Sequence, residues 1–269
     1  MSFVVVIPAR YGSSRFPGKP LADLGGKPMI VRVAERAARS GAREVVVATD
    51  HVDIARAVES HGHQAVMTRA DHPTGTDRVA EVAAKRRYGA AEIVVNIQGD
   101  EPLIDPLLVK SVAASLQKHR DAAIATACHP LRSSREFVNP NVVKVVLDKD
   151  GYALYFSRAP IPYPRDAMNR TASAGLRRLP VALPAYRHIG LYAYRGDFLR
   201  RFKRLEPVPM EQFEALEQLR ALAHGYRISV VVVPAAAAPG VDTPQDLARV
   251  RRLFGVTAGR SRSTSRRAG

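Results

Sequence analysis

Four consecutive β-branched residues, Val4-Val5-Val6-Ile7, run directly into Pro8-Ala9-Arg10-Tyr11-Gly12-Ser13-Ser14-Arg15-Phe16-Pro17-Gly18-Lys19-Pro20. An unbroken apolar run of this kind fits a strand buried on both faces, as in a parallel sheet covered by helices. The turn that follows is rich in Gly, Ser and Pro and carries Arg10, Arg15 and Lys19. Loops at the carboxyl ends of strands are where open α/β sheets bind ligands, and fixed cations among free backbone N–H groups suit a polyphosphate. An ordinary solvated turn could be equally basic. Against that reading stands Pro17-Gly18-Lys19-Pro20, where two prolines stiffen the chain around one lysine and limit the entropy lost on gripping a ligand.

The chain then alternates strand and helix. Pro28 opens a helical pattern through Met29, Ile30, Val33 and Ala37, and residues 44–49 read as a second buried strand. A helix over 53–61 and a short strand over 64–67 follow. The loop from His72 to Arg78 leads into a helix through Val79, Val82 and Ala83, with its threonines and Asp77 as N-cap candidates. Residues 93–97 form a fourth strand, 106–118 a helix and 122–127 a strand with Cys128 at its end. Strands joined by helical crossovers are nearly always parallel. From Val142 the pattern changes. Two strand-like runs flank Asp150-Gly151 as a hairpin, residues 158–182 read as a long proline-rich loop, and 187–194 returns as a strand with polar handles. Helices are expected over 196–203 and, as one continuous element, over 210–224. A strand over 228–233 and a helix capped by Thr243 close the fold.

Asp100-Glu101 follows the fourth strand directly, and Asp242 precedes the last helix. Carboxylates with open water positions are how Mg2+ is held beside phosphates. Alone, Asp100 is as easily a turn residue, and Asp242 as easily part of a helix cap; beside a cationic loop, Asp100 favours metal. Cys128 has no base pattern near it and reads as a small buried apolar residue. It is the one cysteine of 269 residues, which excludes an internal disulfide and fits a reducing cytoplasm. No apolar run approaches the ~20 residues of a spanning helix, and no secretory signal opens the chain. The net charge of +16 asks for an anionic partner. Part of it sits in the tail 256–269, which has nothing to anchor it and reads as disordered. No nucleic-acid module or interleaved aromatics accompany the charge, so no specific nucleic acid is expected.

Pro8-Ala9-Arg10 with Pro17-Gly18-Lys19-Pro20 resembles the signature of nucleotidyltransferases that activate sugars. Several longer segments, among them Val45 to His51, Met67 to His72, Asn96 to Pro102, Asn139 to Asp148, Gly151 to Ala159, Leu216 to Arg220 and Gly240 to Pro244, are similar to the family of 3-deoxy-manno-octulosonate (Kdo) cytidylyltransferases, from Met1 to about Phe254. The resemblance implies a Rossmann-like, glycosyltransferase-A-like α/β fold. Its mostly parallel central sheet would carry a smaller antiparallel lobe at about 158–194, within one domain over 1–255 that forms a homodimer. It implies transfer of CMP from CTP to Kdo with release of pyrophosphate, for lipopolysaccharide synthesis.

By matching positions, the resemblance assigns Arg10, Lys19, Asp100 and Asp242 to catalysis, with Asp100 and Asp242 as Mg2+ ligands. Pro8, Ala9, Arg10, Ser13, Lys19, Gly75, Arg78 and Gln98 would bind nucleotide. Arg158, His188, Tyr192, Glu217 and Gln218 would bind the acid sugar, although His188 and Tyr192 could simply line a strand and Glu217 could pair with a neighbouring arginine. Gly12 and Phe16 depart from the family's usual small apolar residue and leucine without removing a charge. Two other functions stay open at this point: cytidylyl transfer to a different acid sugar, and a basic binding protein on a retired enzyme scaffold.

Overall fold

A computed structural model describes residues 2–12, 16–169, 178–235, 238 and 240–255. Among these described residues, nine strands form one sheet: β1 (Val4–Ala9), β2 (Glu44–Thr49), β3 (Gln64–Met67), β4 (Ile93–Asn96), β5 (Ala122–Pro130), β6 (Lys144–Leu147), β7 (Ala153–Ser157), β8 (Tyr186–Arg195) and β9 (Arg227–Val232). The described residues also form ten α-helices: α1 (Met29–Ala38), α2 (Val52–Glu59), α3 (Gly75–Lys85), α4 (Pro106–Lys118), α5 (Ser134–Val138), α6 (Arg165–Asn169), α7 (Gly196–Phe202), α8 (Pro209–Glu214), α9 (Gln218–Ala223) and α10 (Pro244–Leu253).

The strand order is β3-β2-β1-β4-β8-β5-β9, with β6 and β7 attached through β8. β1 is parallel to β2 and β4, β2 to β3, and β5 to β9, whereas β8 runs antiparallel to both β4 and β5. The central sheet is therefore mostly parallel, with one reversed strand inserted at its middle and an antiparallel hairpin, β6 and β7, on the side.

Successive side chains of a strand point to opposite faces, and both faces here are covered. Val5 and Ile7 pack with Ile30, Val33 and Ala37 of α1, Ile54 and Val58 of α2, and Val109, Val112 and Leu116 of α4. Val4 and Val6 pack on the other face with Val79 and Val82 of α3, Phe198 and Leu199 of α7, and Leu219 of α9. That two-sided burial is why the strand sequences read as continuous apolar runs rather than alternating ones. Local signals set the helix starts: Asp105 accepts from the Leu107 N–H and Pro106 opens α4, while Thr74 accepts from the Asp77 N–H ahead of α3.

Two expectations about segments change. The proline-rich stretch contains a helical turn, α6, at Arg165–Asn169, and the helix expected over 210–224 is two helices broken at Ala215, whose φ is 50°.

Gly196 marks the tightest approach in the fold. A Cβ placed there would lie 2.1 Å from the Gly89 carbonyl oxygen, where the Gly196 N–H meets the Glu92 carbonyl at 2.9 Å. Backbone cannot retreat as a flexible side chain can, so Gly196→Ala is expected to destabilise the fold by about 3 kcal/mol, the upper end of overpacking costs. Urea denaturation measures it; a change below about 1 kcal/mol would show that the β8–α7 junction yields freely.

Candidate active site

The loop after β1 is pinned at both ends. The Tyr11 N–H donates to Asp50 Oδ1 at 3.3 Å, and the Tyr11 ring stacks on His51 with centroids 4.0 Å apart. Gly18, at φ 69°, returns the chain with its N–H on the Tyr11 carbonyl, and Lys19 and Pro20 then form a short 3-10 turn. Positive φ is the conformation glycine tolerates without strain. The turn delivers Lys19 inward, with only 13% of its side chain exposed.

Lys19 Nζ lies 2.6 Å from Asp100 Oδ2, 3.5 Å from Asp242 Oδ1 and 3.0 Å from the Val241 carbonyl oxygen. Residues at 19, 100 and 242 thus converge on one cation. A small core brings α10 here: Leu24, Met29, Val241, Leu247 and Val250 are buried together, and the Val241 N–H donates to the Asp100 carbonyl at 2.8 Å. Five buried apolar side chains contribute about 1.5–3 kcal/mol each. A half-exposed ion pair contributes about 0–1 kcal/mol. Packing, not the Lys19 contact, therefore places Asp242. The cap of α10 belongs to Thr243 and Asp246, whose side chains and backbone N–H groups satisfy each other reciprocally. Asp242 joins that cap through its backbone N–H, which donates to Asp246 Oδ2 at 3.2 Å, while its carboxylate lies 3.5 Å from Lys19 Nζ.

Gly99 lets the ends of β1 and β4 close on each other, since a Cβ there would sit 2.8 Å from the Pro8 carbonyl oxygen. Burial, helped by the charges of Asp100 and Asp242, pushes the Glu101 carboxyl up to about 7. Among the described residues no group of three or more His, Cys, Asp or Glu side chains could hold a metal ion. Asp100 and Asp242 nonetheless fit Mg2+: two carboxylates already converge on a positive charge, and Mg2+ is commonly held by one or two carboxylates, with phosphate oxygens and water completing its shell.

Two cavities that share lining residues lie along the neighbouring strand ends, and Lys19, Asp100 and Asp242 are in the lining of neither. The first, about 260 Å3, is lined by Pro8, Arg10, His72, Thr74, Gly75, Arg78, Gln98 and Glu217. It gathers most of the expected nucleotide residues. Arg78 is buried, donating to Asp50 Oδ2 at 2.8 Å and to Thr68 Oγ1, so its guanidinium also fixes the floor beneath the loop after β1. Ala9 is buried in β1, and Ser13 lies outside the described residues. The second cavity, about 210 Å3, shares Gly75, Gln98 and Glu217 with the first and adds Thr76, Asn96, Tyr192, Tyr194 and Gln218. The shared residues make them one trough along the carboxyl ends of β1 and β4.

Glu217 and Gln218 reach the trough because of the break at Ala215. Arg158 Nε donates to the Glu214 carbonyl at 2.6 Å and Arg158 Nη2 to the Ala215 carbonyl at 3.5 Å. A continuous helix would need those carbonyls for the N–H groups four residues on. Arg158 takes them, and α9 starts afresh. The Glu214 carboxylate returns the grip, accepting from Ser157 Oγ at 2.5 Å and the Arg158 N–H at 2.8 Å. Arg220 gives its guanidinium to Glu211 at 2.5 and 2.7 Å, so it is not the partner of Glu217. Burial raises the Glu217 carboxyl, opposed by the hydroxyls of Thr76 and Thr74.

β8 supplies the remaining wall. Its pairing with β5 slips between Thr126 and Ala127, and Thr126 Oγ1 closes the irregularity on the Ile189 and Leu191 carbonyls while meeting His188 Nε2 at 2.9 Å. His188 packs edge-on against Phe156 and tilts onto Tyr192, which stacks with Tyr194. Burial pushes the His188 imidazole down to about 3, so it is neutral at physiological pH. Tyr192 lines the trough, whereas His188 and Arg158 stand behind it. Thr76 belongs to the Gly75 to Arg78 stretch expected on the nucleotide side, whereas Asn96 and Tyr194 are not among the expected site residues. Their signals were faint: a lone asparagine ending Ile93-Val94-Val95, and a tyrosine two places beyond Tyr192.

A cytidylyltransferase family model matches residues 4–228. The chain belongs to the cytidylyltransferase family. It is also similar to the solved structure of CMP:2-keto-3-deoxy-manno-octonic acid synthetase complexed with CTP. The match has 45% identity, a TM-score of 0.84, and covers 95% of this chain and 99% of that one. A cytidylyltransferase from Leptospira borgpetersenii serovar Hardjo-bovis shares 15% identity with a TM-score of 0.58, covering 94% of this chain and 86% of that one. At that identity it supports the fold alone. As a family member the chain is a nucleotidyltransferase, and no described helix is long and apolar enough to cross a membrane.

Proposed function

We propose that the chain transfers CMP from CTP to the anomeric 2-hydroxyl of Kdo, giving CMP-Kdo and pyrophosphate for lipopolysaccharide synthesis. The observation that carries this reading is the continuous trough joining the nucleotide-side residues Pro8, Arg10, Arg78 and Gln98 to Tyr192, Glu217 and Gln218. The 45% identity to a synthetase of the same 2-keto-3-deoxy acid supports it.

The hydroxyl oxygen forms a bond to the α-phosphorus, the α–β phosphoanhydride breaks, pyrophosphate leaves with the electron pair, and the hydroxyl proton is lost. Both reactants are anionic, so neutralising charge is the main catalytic demand. Arg10, exposed at the mouth of the nucleotide cavity, and Lys19 meet the phosphates, with Ser13 and loop amides completing the cradle. Pro8, Ala9, Gly75, Arg78 and Gln98 hold base and ribose. Asp100 and Asp242 would hold Mg2+, which when bound supplies charge neutralisation and a lowered pKa at the attacking hydroxyl. Tyr192, Glu217 and Gln218 orient the sugar by its hydroxyls, Arg158 supports Glu217 and Gln218 from behind by holding the Glu214 and Ala215 carbonyls, and neutral His188 fixes the ring of Tyr192.

We read residues 1–255 as one nucleotidyltransferase domain, with 158–194 as its sugar-side and dimerisation lobe and 256–269 as a basic tail. The exposed side chains of Tyr163 and Val181 in that lobe support a homodimer. A cytoplasmic setting fits the single buried Cys128, whose thiol burial pushes up to about 12.

Purified protein with CTP and Mg2+ is expected to release pyrophosphate with Kdo and at least about 100-fold more slowly with a sialic acid or an eight-carbon amino analogue, a discrimination within reach of a site that pairs substrate polar groups. The same sample should sediment as a dimer at micromolar concentration. Equal turnover of all acid sugars would refute the substrate assignment, and a monomer would refute the dimer.

A further inference from the structure

Three buried side-chain atoms among the described residues have no hydrogen-bond partner, and two of them, Asn96 Oδ1 and Gln218 Nε2, line the same cavity of about 210 Å3. Asn96 is 2% exposed and Gln218 7%. Buried polar groups are paired in folded proteins because leaving one unpaired sacrifices its solvation, so two orphans on residues lining one cavity need an explanation.

Asn96 ends β4, beside Val6 of β1 and Tyr192 of β8, within a run whose other members, Ile93, Val94, Val95 and Ile97, are all buried and apolar. Stability alone would favour another apolar residue there. Its amide nitrogen is engaged with the Tyr194 hydroxyl, which also meets Thr76 Oγ1 at 3.2 Å. That engagement leaves Oδ1 as an acceptor without a partner, on a residue that lines the cavity. Gln218, at the start of α9, offers the opposite sense, a donor. One acceptor and one donor from separate elements complement a sugar hydroxyl, which both donates and accepts.

We infer that Asn96 is a further recognition residue of the acid-sugar pocket, its Oδ1 accepting a hydrogen bond from a hydroxyl of the bound polyol while Gln218 Nε2 donates to the same sugar. This rests on the assignment of the trough to an acid sugar and adds to it a contact from the sheet itself. The sugar satisfies what folding leaves unsatisfied, so the orphan amide selects for a hydroxylated ligand.

The test uses Asn96→Leu in the full chain, since leucine nearly matches the volume and removes both polar ends. The KM for Kdo is expected to rise about tenfold, the size of one lost hydrogen bond, with the KM for CTP within about twofold of wild type. The melting temperature should stay near that of wild type, because removing the unpaired acceptor offsets the lost bond to Tyr194, whose hydroxyl keeps Thr76. Single-deoxy Kdo analogues supply the readout that a purely structural role would not move. Wild type should lose about tenfold on one analogue, and the variant should lose almost nothing further on that same one. If Asn96→Leu melts well below wild type, the analogue series is read on Asn96→Ser under the same criterion. An unchanged KM for Kdo, or the same penalty for every analogue in wild type and variant, overturns the role of Asn96. A wild-type enzyme that leaves Kdo unreacted overturns instead the assignment of the whole trough.

Discussion

Asp242→Asn is expected to cut turnover of CTP with Kdo by about 10²- to 10³-fold while leaving the fold intact. The two halves of that expectation rest on different observations. The fold survives because Asp242 is not what holds α10: Thr243 and Asp246 form the cap, and Leu247 and Val250 supply the packing. Asparagine preserves the shape and keeps an oxygen, so a change in stability beyond about 0.5 kcal/mol is not expected at an exposed side chain. The loss of turnover follows from charge. With Asp100 alone, a divalent ion would be held by a single carboxylate, and the charge developing on departing pyrophosphate would be poorly compensated. Turnover titrated against Mg2+ separates the cases. A ligand role shifts the half-saturating concentration upward, whereas a structural role would lower turnover at every concentration alike. Near-normal activity at low Mg2+ would refute the two-aspartate site.

Much of this arrangement is legible in the sequence because the signals are local. Asp105-Pro106 announces α4, whose bounds, Pro106–Lys118, match the helical period, and the apolar runs of β1, β2 and β4 announce strands buried on both faces. The convergence of Asp100 and Asp242 was also foreseeable, since each follows a strand whose carboxyl end opens on the same edge. The break at Ala215 was not. Residues 210–224 carry Phe213, Leu216 and Leu219 at helical spacing, and nothing local forbids one helix. The cause lies some 56 residues away in sequence, where Arg158 takes the Glu214 carbonyl. The consequence is visible at Phe213, which shares that helical spacing yet ends 91% exposed. The irregular pairing of β8 is equally invisible, because it is closed by the Thr126 hydroxyl from a neighbouring strand. Long-range hydrogen bonds to backbone carbonyls leave no periodic trace, and here they shape the wall that carries Tyr192, Glu217 and Gln218. The cavity beside Arg10, lined largely by short segments that follow β1, β3 and β4, is correspondingly easier to read.

Lys19→Met should be about as damaging as the loss of a metal ligand, and for a related electrostatic reason. Lys19 is mostly buried, and its ammonium donates to Asp100 at 2.6 Å and to the Val241 carbonyl at 3.0 Å, with Asp242 at 3.5 Å. Methionine keeps the unbranched stem and removes the charge. The site then presents Asp100 and Asp242 to an incoming triphosphate with one cation fewer, so binding and transition state both suffer. Turnover is expected to fall about 10²- to 10³-fold, with a rise in the KM for CTP of about tenfold as the part already lost in the ground state. The KM for Kdo should move less, because Lys19 lies outside the cavity that holds Tyr192 and Gln218. The fold should persist, since the buried cluster of Leu24, Met29, Val241, Leu247 and Val250 clamps α10 without help from the ion pair. Lys19→Arg is the informative companion: it restores the charge but replaces a compact ammonium with a planar fork that cannot meet two carboxylates and a carbonyl from the same point. It should recover CTP affinity more than turnover. A Lys19→Met enzyme within about threefold of wild type in both constants would mean that this lysine only tethers α10, and the charge-neutralising role of the loop would then have to rest on Arg10.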